Sequence, residues 1–245
     1  MEIVINEEKL TTQVVVSEVI EINRLNQKML ELVLQCEMPI DFYGGQSALI
    51  LNDEDIGKKF SIASPSSAKT SGKMEVHVTD IKGSPFSEWL KNKLEIGNKL
   101  YVCGVSGELF YVPGRPEQAL LLVGWQDGLT AMIGIIQDIF ESKHAGPVYL
   151  FHGVDVKEDL YLEMEIREIT DYFPNFHYIP CVEKGDIPQG GYCGTVDKIV
   201  SQLLPDLSDW RAFLCGTRKQ IHSVQRYAYL AGARLKDIYL EVTSI

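Results

Sequence analysis

Cysteine is scarce in this chain: Cys36, Cys103, Cys181, Cys193 and Cys215 form an odd, widely scattered set among 245 residues. No two of them stand at CxxC spacing, so a structural zinc site has no ligand pair to start from. The CxxxxCxxC cluster that holds a plant-type iron–sulfur centre is missing as well. Small buried or reduced thiols account for all of them except Cys215, which is taken up below. His77, His144, His177 and His222 show no metal-ligand spacing, and no metal is expected. Positive charge is also short, with 23 Lys and Arg against 34 Asp and Glu and a net charge of −11. Such a chain is a poor binder of nucleic acid, whose affinity rests on clustered cations, and it is repelled by anionic lipid. No apolar run approaches the roughly 18 to 20 residues that span a bilayer. The N-terminus, Met1-Glu2-Ile3-Val4-Ile5-Asn6-Glu7-Glu8, is acidic where a signal peptide would be basic. A cytoplasmic protein with neither nucleic-acid nor membrane partners is the expectation.

What the sequence does have is two textures. Short β-rich runs come first: Val14 to Val16, Met29 to Leu34, Ala48 to Leu51, Met74 to Val78 and Leu100 to Cys103. Gly, Asn, Asp, Pro and Ser clusters separate them at barrel or sandwich spacing. One helix interrupts them from Ser87, a candidate N-cap, to Leu94. After Pro113-Gly114-Arg115-Pro116 the apolar run Ala119 to Gly124 reads as a strand buried on both faces. Strand and helix then alternate: helix Gly128 to Ser142, strand Val148 to Phe151, helix Leu160 to Ile169 and strand Phe176 to Ile179. Helix Val196 to Leu204, strand Trp210 to Cys215, helix Lys219 to Ala231 and strand Asp237 to Val242 complete the series. That alternation predicts an open parallel sheet covered on both faces. The expected fold is an all-β Greek-key barrel over 1–113 followed by a doubly wound α/β domain over 114–245.

In the barrel half, Lys58-Lys59-Phe60-Ser61-Ile62-Ala63-Ser64 sets an aromatic and a hydroxyl directly after two cations. Such a run can stack on a planar ring, hydrogen-bond its edge and neutralise a phosphate. An ordinary strand flanked by lysines is the plainer reading of these residues alone. No Ser/His/Asp or paired-carboxylate arrangement is readable anywhere in the chain.

Taken together, the segments from about Val15 to Glu241 resemble the ferredoxin–NADP reductase superfamily, and within it the flavin reductases and dioxygenase-type reductases. Lys58-Lys59-Phe60-Ser61 is similar to the family's Arg-x-Tyr-Ser flavin motif, continuing through Ile62, and Gly45-Gln46 to its Gly-Gln. Ser84-Pro85-Phe86-Ser87, or Gly83 with an insertion, fits the phosphate-cradling Gly-x-x-Ser turn. Gly97-Asn98 and Gly104-Val105-Ser106-Gly107 match two further turns, and Cys215-Gly216-Thr217-Arg218 the Cys-Gly-Pro-Pro segment. The resemblance implies FAD, in preference to FMN, with NADH or NADPH as a substrate. It implies that Phe60 packs on the isoalloxazine, Ser61 bonds near its redox edge and Lys58 meets a phosphate as a point charge. Val78 flanks the flavin tail, and Ser84, Phe86 and Ser87 offer helix N-terminal amides to the phosphate. Gly128, Thr130 and Gly216 belong to the nicotinamide nucleotide. Ser61, Cys215 and Glu241 would stand at the reacting centre.

The nucleotide half departs from that family at its first turn. Glycines usually let the backbone approach the dinucleotide there, whereas this chain carries Trp125-Gln126-Asp127-Gly128-Leu129-Thr130-Ala131. Trp125 is bulky, and is expected either to obstruct the nucleotide or to cover the flavin or the nicotinamide pocket. Asp127 places a negative charge beside the expected pyrophosphate. Asp155, at the end of the next strand, would repel a 2′-phosphate and favour NADH over NADPH. Two readings follow. The first is a FAD-dependent NAD(P)H oxidoreductase whose hydride passes from nicotinamide to flavin N5 and whose electrons leave to a separate redox protein or small acceptor. The second is a flavin-binding electron-transfer or regulatory subunit with a degenerate nucleotide site.

Overall fold

Alternating burial builds the first half. The computed structural model describes residues 3–4, 14–79 and 84–243, so Gly83 and most of the acidic N-terminal stretch lie outside the described residues. The strands are β1 (Ile3–Val4), β2 (Val15–Arg24), β3 (Met29–Cys36), β4 (Ser47–Leu51), β5 (Ile56–Ser61), β6 (Lys73–Thr79) and β7 (Lys99–Ser106). They pair antiparallel in a seven-stranded sheet of order β1-β5-β4-β7-β2-β3-β6. A bridge between Ile62 and Val76 ties the end of β5 back to β6 and curls the sheet into a barrel. Val19, Leu32, Leu34, Ile50, Ile62, Met74, Val76 and Leu100 fill its interior. Asn52 sets the tight β4–β5 turn by accepting from the Glu54 and Ile56 amides, an Asx turn that lets Asp55 adopt φ +57°.

Helix α1 (Pro85–Lys93) leaves β6 one turn earlier than the sequence suggests. Ser84, not Ser87, is its N-cap: the Ser84 hydroxyl accepts from the Ser87 amide at 3.3 Å, and Pro85 takes the first helical position, where its missing N–H costs nothing. The helix buries Phe86, Trp89 and Leu90 against the barrel core.

The second half alternates as its apolar runs demand. Its elements are β8 (Leu120–Trp125), α2 (Leu129–Glu141), β9 (Val148–Val156), α3 (Glu163–Tyr172), β10 (Phe176–Lys184), β11 (Tyr192–Cys193), α4 (Val196–Leu203), β12 (Arg211–Gly216), α5 (Arg218–Leu230) and β13 (Ile238–Val242). The six strands run parallel in the order β11-β10-β9-β8-β12-β13. Strand parity divides the core. Leu120 and Leu122 face Leu129, Met132 and Ile136 of α2, while Leu121, Val123 and Trp125 face α4 and α5 through Val196, Val200, Ile221 and Val224. The helix expected from Leu160 begins only at Glu163. Leu162 sits at φ 55°, and Leu160 and Tyr161 are pinned in separate apolar clusters, which breaks helical continuity.

Helix α2 also seats on the barrel. A Cβ on Gly134 would lie 2.6 Å from the Ile62 carbonyl and 2.7 Å from the Gly45 amide nitrogen, and one on Gly44 would lie 2.4 Å from the Gly134 carbonyl. One turn on, the Asp138 carboxylate accepts from the Ser66 amide and hydroxyl, both at 2.6 Å, and from the Gly44 amide at 3.1 Å. Gln137 adds a bond to the Ala63 carbonyl, and Lys28 pairs with Asp159 across the same seam. Among the described residues, no helix is long and apolar enough to cross a membrane.

Candidate functional site

A parallel sheet offers its ligand crevice at the carboxyl ends of the strands, where the strand order reverses. Here that reversal lies between β8 and β12. Asp127 and Thr130 follow β8, and Glu241, Val242 and Thr243 end β13; with Ser47, Lys58, Lys59, Phe60, Ser61, His77 and Thr79 of the barrel they enclose a cleft of about 600 Å³ measured out to open solvent.

Of the residues singled out from the sequence, Lys58, Phe60, Ser61, Thr130 and Glu241 share this cleft. Lys58 lies 5.7 Å from the centre of the Phe60 ring. Phe60 is mostly barrel core, tilted against Phe86 with ring centres 5.4 Å apart. Glu241 accepts from the Ser47 hydroxyl at 2.6 Å and pairs with Lys59 at 3.2 Å. Its second oxygen, Oε2, has no partner and is shielded from solvent.

The other predicted residues lie elsewhere. Ile62 is barrel core, fully buried, as is Phe86 at 1% exposure. Val78 is also core, and with Ser87 it reaches a second groove lined by Arg24, Lys28 and Lys91. Thr79 lines both grooves. Ser84 caps α1. Gly128 is pressed on the end of β12, where a Cβ would come 2.2 Å from the Cys215 carbonyl. Cys215 itself is fully buried, and burial, with Glu241 and Asp127 adding to it, pushes its thiol far above the ordinary range. It is therefore a neutral, polarisable group beside Ser61 and not a nucleophile.

Trp125 overturns the expectation attached to it. It neither borders the cleft nor covers a ring: it is 3% exposed, packed on the α4–α5 side as strand parity requires. Gly153 makes room for its ring, since a Cβ there would come 2.4 Å from the indole, and a Cβ at Gly216 would come 2.5 Å from the Trp125 Cβ. Gly216 holds φ 149°. Gln126, at φ 51°, turns the chain after it and donates to Asp155 at 3.1 Å.

Asp127 is the electrostatic feature of the turn. Burial pushes its carboxyl above the usual range, opposed by Thr243, Lys58 and the amides of Asp127 and Gly128, and Oδ1 is left unpartnered. Behind Thr130 the Tyr161 hydroxyl stands 3.3 Å from the threonine oxygen, and the Tyr161 ring is edge-on to both His77 and His152. His152 is wholly buried, its pKa is lowered to about 3 by desolvation, and it shares a bond with the Tyr178 hydroxyl. Ser47, Lys59, His77, Thr79 and Thr243 are cleft residues that sequence reasoning missed. Alternation could have found two of them: with Val76 and Val78 inside the barrel, His77 and Thr79 must face out.

Unpaired buried atoms on Glu241, Asp127 and His77 all border this one cleft. Each of these residues thus keeps polar capacity that no hydrogen bond within the described residues uses. Lys58 and Lys59 beside Ser61 suit an anionic, ring-bearing cofactor of flavin type, and the residues present fit that group.

Comparison with known proteins agrees with this geometry. Residues 127–226 match the oxidoreductase NAD-binding domain family. A ferredoxin–NAD(P)+ reductase component of naphthalene 1,2-dioxygenase/salicylate 5-hydroxylase systems from Ralstonia sp. is 26% identical over 213 residues, 86% of this chain and 63% of its own length. An NAD(P)H-flavin reductase from Vibrio harveyi is 26% identical over 190 residues, 76% of this chain and 79% of that protein. This chain thus spans under two thirds of the length of the first relative. The crystal structure of the Amycolatopsis cytochrome P450 reductase GcoB superposes with a TM-score of 0.85 at 21% identity, covering 94% of this chain and 69% of that one. Barrel, parallel sheet and cleft share the fold of these reductases, to which the chain is similar.

Proposed function

We propose that this chain is a FAD-dependent NAD(P)H oxidoreductase that takes electrons from a reduced nicotinamide and delivers them to a separate redox protein or small acceptor. Residues 1–113 form its flavin-binding part and 114–245 its nucleotide-binding part. The observation that carries the reading is the cleft in which Lys58, Phe60 and Ser61 of one sheet meet Thr130 and Glu241 at the carboxyl ends of the other. Bound flavin supplies the redox chemistry, accepting a hydride at N5 and releasing electrons singly or in pairs. Everything else falls to the chain's own residues.

Ser61 holds the ring edge by a hydrogen bond, and Lys58 offsets phosphate charge as a point cation. Glu241, oriented by Ser47 and Lys59, keeps Oε2 ready to accept a proton or a hydrogen bond. The groove of Arg24, Lys28 and Lys91, which shares Thr79 with the cleft, supports FAD over FMN, since a dinucleotide is long enough to reach both. Asp155 at the end of β9 disfavours a 2′-phosphate and favours NADH.

The test is an anaerobic absorbance titration of FAD-loaded protein with NADH and then NADPH. Stoichiometric bleaching of the oxidised-flavin band, faster with NADH, is the expected result. Flavin that dithionite reduces but neither nucleotide does would replace this reading with the second one, a flavin-binding electron-transfer or regulatory subunit. Asp127, a carboxylate at the turn where relatives place glycines, is the observation favouring that alternative.

A further inference from the structure

A parallel sheet holds a dinucleotide by its pyrophosphate, which lies against open backbone amides where the first strand turns into its helix. In this chain that turn is Gln126-Asp127-Gly128, between β8 and α2, and its backbone is already engaged. The Leu129 amide, first of α2, donates back to the Gln126 and Asp127 carbonyls. Gly128 is seated against the Cys215 carbonyl and the Gly216 amide nitrogen, with no room for even a methyl group. Asp127 itself lines the cleft, so a carboxylate stands where a phosphate needs donors. The amides of Asp127 and Gly128 act on that carboxylate. Gln126 reaches outward to donate to Asp155 at 3.1 Å, which sets a second carboxylate beyond the first. Among the described residues, the cations lining the cleft are Lys58 and Lys59, both from the barrel, and Lys59 is paired with Glu241. Arg218 and Lys219, at the start of α5, are exposed and do not line it.

The rest of the cleft is friendlier to the other end of the nucleotide. Ser61, Thr130 and Thr243 line it with neutral hydroxyls, which suit an uncharged dihydronicotinamide and its ribose. A site discriminates as much by what it repels as by what it attracts. We propose that Asp127 determines the specificity of the nucleotide site: the cleft recognises its reductant by the dihydronicotinamide ribosyl end and gains no affinity from the pyrophosphate and adenylate. The substrate class is thus reduced nicotinamides with or without the adenylate half, ribosides included. The inference rests on the nicotinamide reading of the cleft and deepens it.

Two measurements on the full chain test it. In the first, NADH and reduced nicotinamide riboside are compared by the second-order rate constant for anaerobic bleaching of FAD-loaded protein. The riboside is expected to act within about threefold of NADH, whereas a held pyrophosphate would make the dinucleotide far better. Asp127→Asn keeps the shape and removes the charge, and is expected to raise the NADH-to-riboside ratio about tenfold. The second uses ADP-ribose, the part of NADH that lacks the nicotinamide, and reads binding by calorimetry with and without FAD. Its dissociation constant is expected above about 1 mM for the wild type and about tenfold lower in Asp127→Asn. A wild-type preference for NADH above about tenfold, or a donor ratio and an ADP-ribose affinity both unmoved in Asp127→Asn, would overturn the proposal. Flavin that dithionite reduces but neither donor does would instead bring down the nicotinamide reading, and the proposal with it.

Discussion

Asp127 is the residue whose ionisation most opposes the proposed chemistry, because burial raises its pKa and its Oδ1 finds no donor. The sign of its effect on stability follows. A carboxyl whose folded pKa lies above its ordinary value of 3.8 binds more protons folded than unfolded, so stability falls as pH rises through that window and the full cost is present at neutral pH. Asp127→Asn is therefore expected to raise the melting temperature by about 2–4 °C at pH 7, with the gain shrinking toward pH 4, and to tighten NADH binding. Equal melting curves for the two proteins at pH 7 would show that the charge is compensated. Ser61→Ala should slow flavin reduction by at least about tenfold while leaving flavin bound; stopped-flow rates equal to wild type would remove Ser61 from the reaction. Site residues were legible where chemistry and order coincide, as in Lys58 to Ser61. They were missed where only the strand's facing decides, as with His77 against Val78, or where the partner is distant in sequence, as with Ser47 and Glu241.

Among the elements, α2 carries the greatest structural burden. Its apolar face packs on β8 and β12, while Gly134 and Asp138 turn toward the barrel. Gly134→Ala would push a methyl into the backbone of Ile62 and Gly45, and overpacking of this kind costs about 1–3 kcal/mol. Asp138→Ala would strand the Ser66 and Gly44 amides, with an expected loss of about 2–4 kcal/mol. Urea midpoints of the full chain test both, and an Asp138→Ala midpoint equal to wild type would refute the clamp. The existence and order of the strands and helices followed from periodicity, which strong burial enforces. Element ends were read less well, because local chemistry sets them: Ser84 with Pro85 starts α1, and the separate burial of Leu160 and Tyr161 delays α3. The contact of Gly134 with Gly44 and Gly45 left no mark in the pattern, since glycines report that a close approach is possible and not what approaches.

At the scale of the whole molecule, a net charge of −11 sets the long-range field. Encounter with a cationic one-electron acceptor such as cytochrome c is expected to be fastest at low ionic strength and to slow as salt screens it, with the opposite trend for ferricyanide. Steady-state rates from 10 to about 300 mM salt, against a Debye length of about 8 Å near physiological ionic strength, measure this. Salt-independent rates with both acceptors would mean that a local patch, and not the net charge, governs the encounter. The fit of Trp125 between Gly153 and Gly216 has a last consequence, for the routes open to mutation. Trp125→Gly alone vacates a buried site and is expected to cost about 3–5 kcal/mol, while a side chain at Gly153 collides with the indole. Neither order of single steps is easy, so Trp125 and Gly153 are inherited as a pair. A lineage holding this tryptophan is kept from a glycine-rich turn by the interior of its own sheet, whatever nucleotide it uses.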